Sequence, residues 1–213
     1  MNLIDKVRRV IVGRRSVAAL LSLTATAALA IGASNAPAVA APQAAAPAPV
    51  PLAQAVNLLK TTKATTTVAG SAAALACQPV VIQSKANGLL TSAEIGYSGG
   101  NYGMLRARAG AQGPWEVYNL CTYGSNYVLV ANANGSYVST ELGYTGGNYA
   151  MLRARATAIG PWEQYQILPY GSGVVIRSTA NGSYVSTELG YTGGNYAMLR
   201  ARATAIGPWE QYY

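Results

Sequence analysis

ANGSYVSTELGYTGGNYAMLRARATAIGPWEQY runs from Ala133 to Tyr165 and returns letter for letter at Ala180–Tyr212. A diverged copy, ANGLLTSAEIGYSGGNYGMLRARAGAQGPWEVY, occupies Ala86–Tyr118. Trp115, Trp162 and Trp209 stand 47 residues apart and set the period. Three copies of one unit predict a fold with threefold pseudosymmetry, so any function is to be read from the unit.

The third copy, taken in order, reads as short strands. Val174–Ser178 (VVIRS) is a β-branched run. Asn181-Gly182 follows, the strongest two-residue hairpin signal, and Ser183–Glu188 (SYVSTE) is the returning strand. Leu189–Tyr196 (LGYTGGNY) has three glycines and breaks the strand into a loop. In Ala197–Ala203 (AMLRARA), Leu199, Ala201 and Ala203 face one way and Arg200 and Arg202 the other. Trp209–Tyr213 is the last strand, and its counterpart in the second copy runs on as WEQYQIL. Four strands per unit give twelve in all, with no helical period inside the repeats. The expected fold class is therefore all-β, a β-trefoil of three 47-residue repeats at about 77–120, 121–167 and 168–213. A closed barrel also removes sheet edges.

Upstream of the repeats the composition changes. Met1–Arg15 carries Lys6, Arg8, Arg9, Arg14 and Arg15, Val17–Ala33 is apolar and small, and Ala38-Val39-Ala40 is an A-x-A site. That order predicts a secretory signal peptide over 1–40 and a secreted or surface-associated protein. The competing reading is a retained anchor, but the run is diluted with Ala, Thr and Ser and short for a span. Residues 41–76 read as a Pro/Ala/Thr-rich, weakly ordered linker or propeptide, with one short helix expected at Leu52–Lys60.

The formal charge of the chain is +8. Without the first 40 residues, ten cations face six glutamates, and neither Asp nor His remains. All six glutamates lie in two repeat columns, Glu94/Glu141/Glu188 and Glu116/Glu163/Glu210. Six of the seven remaining arginines lie in two others, Arg106/Arg153/Arg200 and Arg108/Arg155/Arg202. The charge thus belongs to the repeat and is not a scattered coat. Cys77 and Cys121 flank the first unit. In an exported protein an even pair predicts a disulfide, worth roughly 4 kcal/mol by chain entropy. Two cysteines and no histidine do not assemble a four-ligand metal set, and no cofactor motif is present.

The pattern ANGxYVSxE followed by LRARAxxxGPWEQY resembles the fascin-like β-trefoil repeat of exported bacterial proteins, often joined to glycoside hydrolases as a carbohydrate-binding module. The resemblance covers residues 78–213. It implies a β-trefoil that binds carbohydrate. Two departures qualify it. Tyr118, Tyr165 and Tyr212 stand where such repeats usually carry Phe, and the chain has no Phe. The Gln-x-Trp motif and the Asp of ricin-type trefoil lectins are also missing, so that sugar site is not carried over.

Catalysis finds little support in the residues. A carboxylate pair can serve a glycosidase, but here it would recur three times, with no nucleophile beside a base. No enzymatic activity and no catalytic residue are expected. Saccharide binding fits better, because pyranose C–H faces stack on aromatic rings while hydroxyls need paired polar groups. Each unit supplies both. The candidate ligand set in the second unit is Tyr144, Tyr149 and Trp162 with Asn148, Glu141, Arg153, Arg155 and Glu163. In the first it is Tyr97, Asn101, Tyr102, Arg106, Trp115 and Glu116, and in the third Glu188, Tyr191, Asn195, Tyr196, Arg200, Trp209 and Glu210.

Each candidate has a bland counterpart. Trp162 is either a platform or a core corner; the alternation of WEQYQIL favours an outward ring unless Gly160-Pro161 resets the register. Glu163 shares the side of the core, where a buried carboxylate needs a partner, such as an Arg of the same hairpin. Arg153 and Arg155 point outward, as solvated charges, Glu partners or ligand contacts. Nucleic acid is not an expected partner, because the arginines are balanced by glutamates around a threefold axis. The expected protein is a monomeric, non-catalytic, lectin-like module with up to three sites for a polysaccharide such as a β-glucan, without stable membrane insertion. The alternative is a structural or cell-surface adhesion scaffold with no saccharide site.

Overall fold

Alternation and turn chemistry place the strands where the sequence puts them. The computed structural model describes residues 47–63 and 75–213, all within the unit Ala45–Tyr213. The signal peptide expected over 1–40, and residues 41–46 and 64–74 of the expected linker, lie outside the described residues.

A two-residue strand β1 (Val50–Pro51) leads into helix α1 (Leu52–Lys63). The first unit then supplies β2 (Cys77–Val81), β3 (Leu90–Glu94), β4 (Met104–Ala109) and β5 (Val117–Tyr123). The second supplies β6 (Asn126–Ala131), β7 (Tyr137–Glu141), β8 (Met151–Ala156) and β9 (Tyr165–Tyr170). The third supplies β10 (Gly173–Ser178), β11 (Tyr184–Glu188), β12 (Met198–Ala203) and β13 (Gln211–Tyr212). The three units are all-β, as expected, and their strands enclose a main hydrophobic core.

Within each unit the second and third strands form a tight antiparallel pair, such as β7 on β8 from Tyr137↔Ala156 to Glu141↔Met151. Between units, the last strand of one pairs with the first of the next, such as β9 on β10 from Tyr165↔Ser178 to Tyr170↔Gly173. Tyr212 pairs with Val174 and also bridges to Ser84, which returns the third unit to the first. The Cys77–Cys121 disulfide forms across directly paired residues of β2 and β5.

The three MLRARA strands meet one another. Met104 pairs with Arg153, Met151 with Arg200, and Met198 with Arg106. Their leucines, Leu105, Leu152 and Leu199, enter the main core, while Met104, Met151 and Met198 form a second buried cluster roofed by Tyr97, Tyr144 and Tyr191. Each strand is therefore buried on both faces over its first four residues, and only the second arginine emerges. This corrects the expectation that both arginines of RAR point outward. Alternation sends them to the same face, but that face meets its two symmetry equivalents before it meets water.

A second correction concerns the upstream segment. The short helix expected at Leu52–Lys60 is present as Leu52–Lys63, but it is docked in the core rather than part of a weakly ordered linker. Leu52, Ala55, Val56 and Leu59 recur at helical spacing and are all but inaccessible. Burying each of the larger side chains contributes about 1.5–3 kcal/mol. β1 runs parallel to β2, with Val50 beside Val80 and Pro51 beside Val81. Two units on, the counterparts Val174 and Val175 are paired by Pro169 and Leu168. Val50–Pro51 thus fills, on β2, the place held on β10 by the end of β9. Among the described residues no helix is long and apolar enough to cross a membrane.

Candidate functional site

The GPWE corner decides what each unit shows to solvent. In the second unit Pro161–Glu163 forms a 3-10 turn, which resets the strand register. The tryptophan still faces outward, but the turn puts it there rather than the alternation of WEQYQIL. Trp115, Trp162 and Trp209 are 38%, 39% and 39% exposed, the same in all three units. The turn is fixed from within. Glu163 is buried, and its Oε2 accepts from the Gly160 N–H at 2.7 Å; Glu116 and Glu210 accept from Gly113 and Gly207 in the same way. Ser92 Oγ adds a hydrogen bond to Glu116. These three glutamates therefore find backbone partners, not the expected arginine, and are closed to a ligand.

A glycine seats each indole. A Cβ on Gly96 would stand 3.3 Å from Cη2 of Trp115, and on Gly143 and Gly190 it would stand 3.8 Å from Trp162 and Trp209. The sequence signal was the glycine before Tyr97, Tyr144 and Tyr191, kept in all three copies but not singled out as part of the site. The next residue, Tyr144, is half-buried over the methionine cluster, and its hydroxyl accepts from Arg153 Nη1 at 2.7 Å. Tyr97 and Tyr191 do the same for Arg106 and Arg200.

The two arginine columns part company. Arg153 is 4% exposed, and all its nitrogens are engaged: Nε donates to the Tyr102 carbonyl at 2.8 Å and Nη2 to the Gly99 carbonyl at 3.0 Å, both in the preceding unit. Arg200 reaches back to Tyr149 and Gly146, and Arg106 closes the circle on Tyr196 and Gly193. These arginines, expected as ligand contacts, hold neighbouring units together. Arg108, Arg155 and Arg202 are instead nearly half exposed and clasp the buried Glu94, Glu141 and Glu188 bidentately. The carboxylate hydrogen bond, the largest cause, raises each of these guanidinium pKa values against the opposing effect of burial.

The expected ligand set is thus divided. Trp162, Tyr144, Arg155 and Glu141 gather around Glu141–Tyr144, with only the first three open to solvent. Asn101, Asn148 and Asn195 close 3-10 turns and are half-buried. Tyr102, Tyr149 and Tyr196 belong to the joint with the following unit. Their carbonyls take the arginines described above, and the Tyr102 hydroxyl accepts from Asn134 at 3.3 Å. Tyr149 and Tyr196 are exposed, and Tyr102 is half-buried. Each unit therefore presents an exposed indole over a glycine, with a neutralised guanidinium and a phenol tied to the same stretch of chain and no exposed carboxylate among the candidates.

No protein-family model matches the chain, and no curated protein matches it. Solved structures do. ThreeFoil, a designed threefold symmetric protein, matches with a TM-score of 0.54 at 18% identity, over 63% of this chain and 95% of that one. The Rhizoctonia solani agglutinin matches with a TM-score of 0.50 at 11% identity, over 68% of this chain and 96% of that one. An exo-beta-1,3-galactanase from Clostridium thermocellum matches with a TM-score of 0.52 at 12% identity, over 62% of this chain and 28% of the galactanase. At these identities the likeness shows the fold alone: a trefoil-like fold.

Proposed function

We propose that the protein is a secreted, non-catalytic carbohydrate-binding module, a fascin-like β-trefoil of three 47-residue, four-strand units with one shallow site per unit. The observation that carries this reading is the set of three equally exposed tryptophans, each held on a capped turn and seated on a glycine. None of the three indoles belongs to the buried hydrophobic clusters. A flat, immobilised indole face is what a pyranose ring stacks on. The agglutinin and the galactanase among the similar structures support the choice of ligand by analogy of fold only. The burial of the six glutamates, all at most 7% exposed and engaged in capping or ion pairs, supports the non-catalytic reading.

A repetitive polysaccharide is the favoured ligand class. Shallow sites are individually weak, and three on one rigid body raise avidity by roughly 10²–10⁴. A competing reading, an adhesion scaffold without a saccharide site, draws on the structural use of Arg106, Arg153, Arg200 and all six glutamates. It predicts no ligand-induced change in tryptophan fluorescence. The test is a pull-down against insoluble and gelled polysaccharides, β-glucans among them, with Trp162→Ala, Trp209→Ala and the double variant. Stepwise loss of binding in folded variants supports the module. Wild-type protein that binds no glycan supports the scaffold.

A further inference from the structure

The side chains gathered at Glu141–Tyr144, the stretch that seats the Trp162 indole, have hydrogen-bond donors to spare. Arginine has five N–H donors and no acceptor, and the indole N–H only donates. In Arg155, Nε and Nη2 are fixed on Glu141, while Nη1 makes no hydrogen bond among the described residues. The Tyr144 hydroxyl accepts from Arg153, which leaves its own hydrogen to donate. The carboxylates that would accept from a sugar hydroxyl, Glu141 and Glu163, are 1% and 7% exposed and already engaged. The guanidinium charge is matched by its own buried carboxylate, so the site gives no net attraction to acidic sugars. The same arrangement recurs at Arg108/Glu94 with Tyr97 and at Arg202/Glu188 with Tyr191.

Resting on the carbohydrate-binding reading above, we propose that the ligand is a polymer of acetamido sugars, its N-acetyl group held by the indole, the free Nη1 of the paired arginine and the tyrosine hydroxyl. An acetamido group combines a methyl for an aromatic face with an amide carbonyl, a strong acceptor. A glucan offers hydroxyl and ether oxygens in place of that carbonyl, and no methyl for the ring.

The experiment isolates the second site in the full chain with Trp115→Ala and Trp209→Ala. Intrinsic fluorescence and calorimetry then follow titration with three hexasaccharides: fully N-acetylated β-1,4-glucosamine, the same oligomer fully deacetylated, and laminarihexaose. The acetylated oligomer is expected to bind at least about tenfold more tightly than either of the others. Arg155→Lys, which keeps a cation beside Glu141 but removes the fork, is expected to abolish that preference with the melting temperature little changed. Equal or tighter binding of laminarihexaose or of the deacetylated oligomer overturns this inference and leaves the carbohydrate reading standing. A preference that survives in Arg155→Lys also overturns it. If wild-type protein binds no oligosaccharide and no polysaccharide, both readings fall.

Discussion

Nε of Arg200 donates to the carbonyl of Tyr149 at 2.8 Å, so a side chain of the third unit holds the loop of the second. Arg153 and Arg106 repeat the contact one unit round, and the circle has no free end. The guanidinium is buried with two carbonyls and a phenol as partners and no carboxylate. Its charge is offset by oriented dipoles, an arrangement that fails if any partner is lost. Arg200→Met is expected to cost about 3 kcal/mol, since it strands two loop carbonyls as well as removing the charge-assisted bonds. Urea unfolding measures it. A loss under about 1 kcal/mol would mean that the loop does not depend on this clasp.

The period, the strands and the disulfide were legible because each has a local cause: alternation, an Asn-Gly turn, a pair of cysteines. The fate of Arg153 was not. A strand with one face in the core normally shows water its other face, and nothing in MLRARA says that this second face meets Met104 and Met198 around an axis. Trp162 was legible in outcome but not in cause, because the 3-10 turn that aims it depends on a carboxylate reaching back to Gly160. The short helix at Leu52–Lys60 was expected, and it runs on to Lys63. Where a helix docks is a tertiary fact that spacing does not encode.

That docking makes a prediction on which a free linker and a core element disagree. Leu59 is 4% exposed within the main core, whereas Asn57 on the same helix faces solvent. Leu59→Ala is expected to cost about 3 kcal/mol and Asn57→Ala less than about 0.5 kcal/mol. Equal melting temperatures for the two variants would return the segment to the status of a linker.

Three buried phenols govern the alkaline limit. Burial raises the pKa of Tyr118, Tyr165 and Tyr212 above the ordinary value of about 10, and in the last two a threonine hydroxyl offsets part of the rise. Below pH 10 the phenols are protonated in both states and their contribution is complete. Above about pH 10 the unfolded chain releases these protons first, so stability falls as pH climbs through the raised folded values. Tyr165→Phe is expected to flatten that fall while costing about 1 kcal/mol at pH 7, from its hydrogen bonds to Thr140 and the Val138 carbonyl. Melting curves between pH 8 and pH 11 decide; an unchanged slope in Tyr165→Phe would remove this phenol from the account.

Trp162 and Glu163 are neighbours with opposite duties, and that contrast separates binding from folding most directly. The indole is 39% exposed, with its Cη2 over Gly143. The carboxylate is buried and caps the turn that carries the indole. Trp162→Ala is therefore expected to lose stability by no more than about 1 kcal/mol while abolishing the fluorescence response of its site. Glu163→Ala strands the Gly160 N–H and is expected to cost about 1–2 kcal/mol. It also weakens ligand binding, because the turn no longer fixes the ring. Glu163→Gln keeps an acceptor for Gly160 and should restore most of both losses. If Trp162→Ala unfolds the chain as readily as Glu163→Ala, the ring is a structural corner after all, and its exposure is incidental to any ligand.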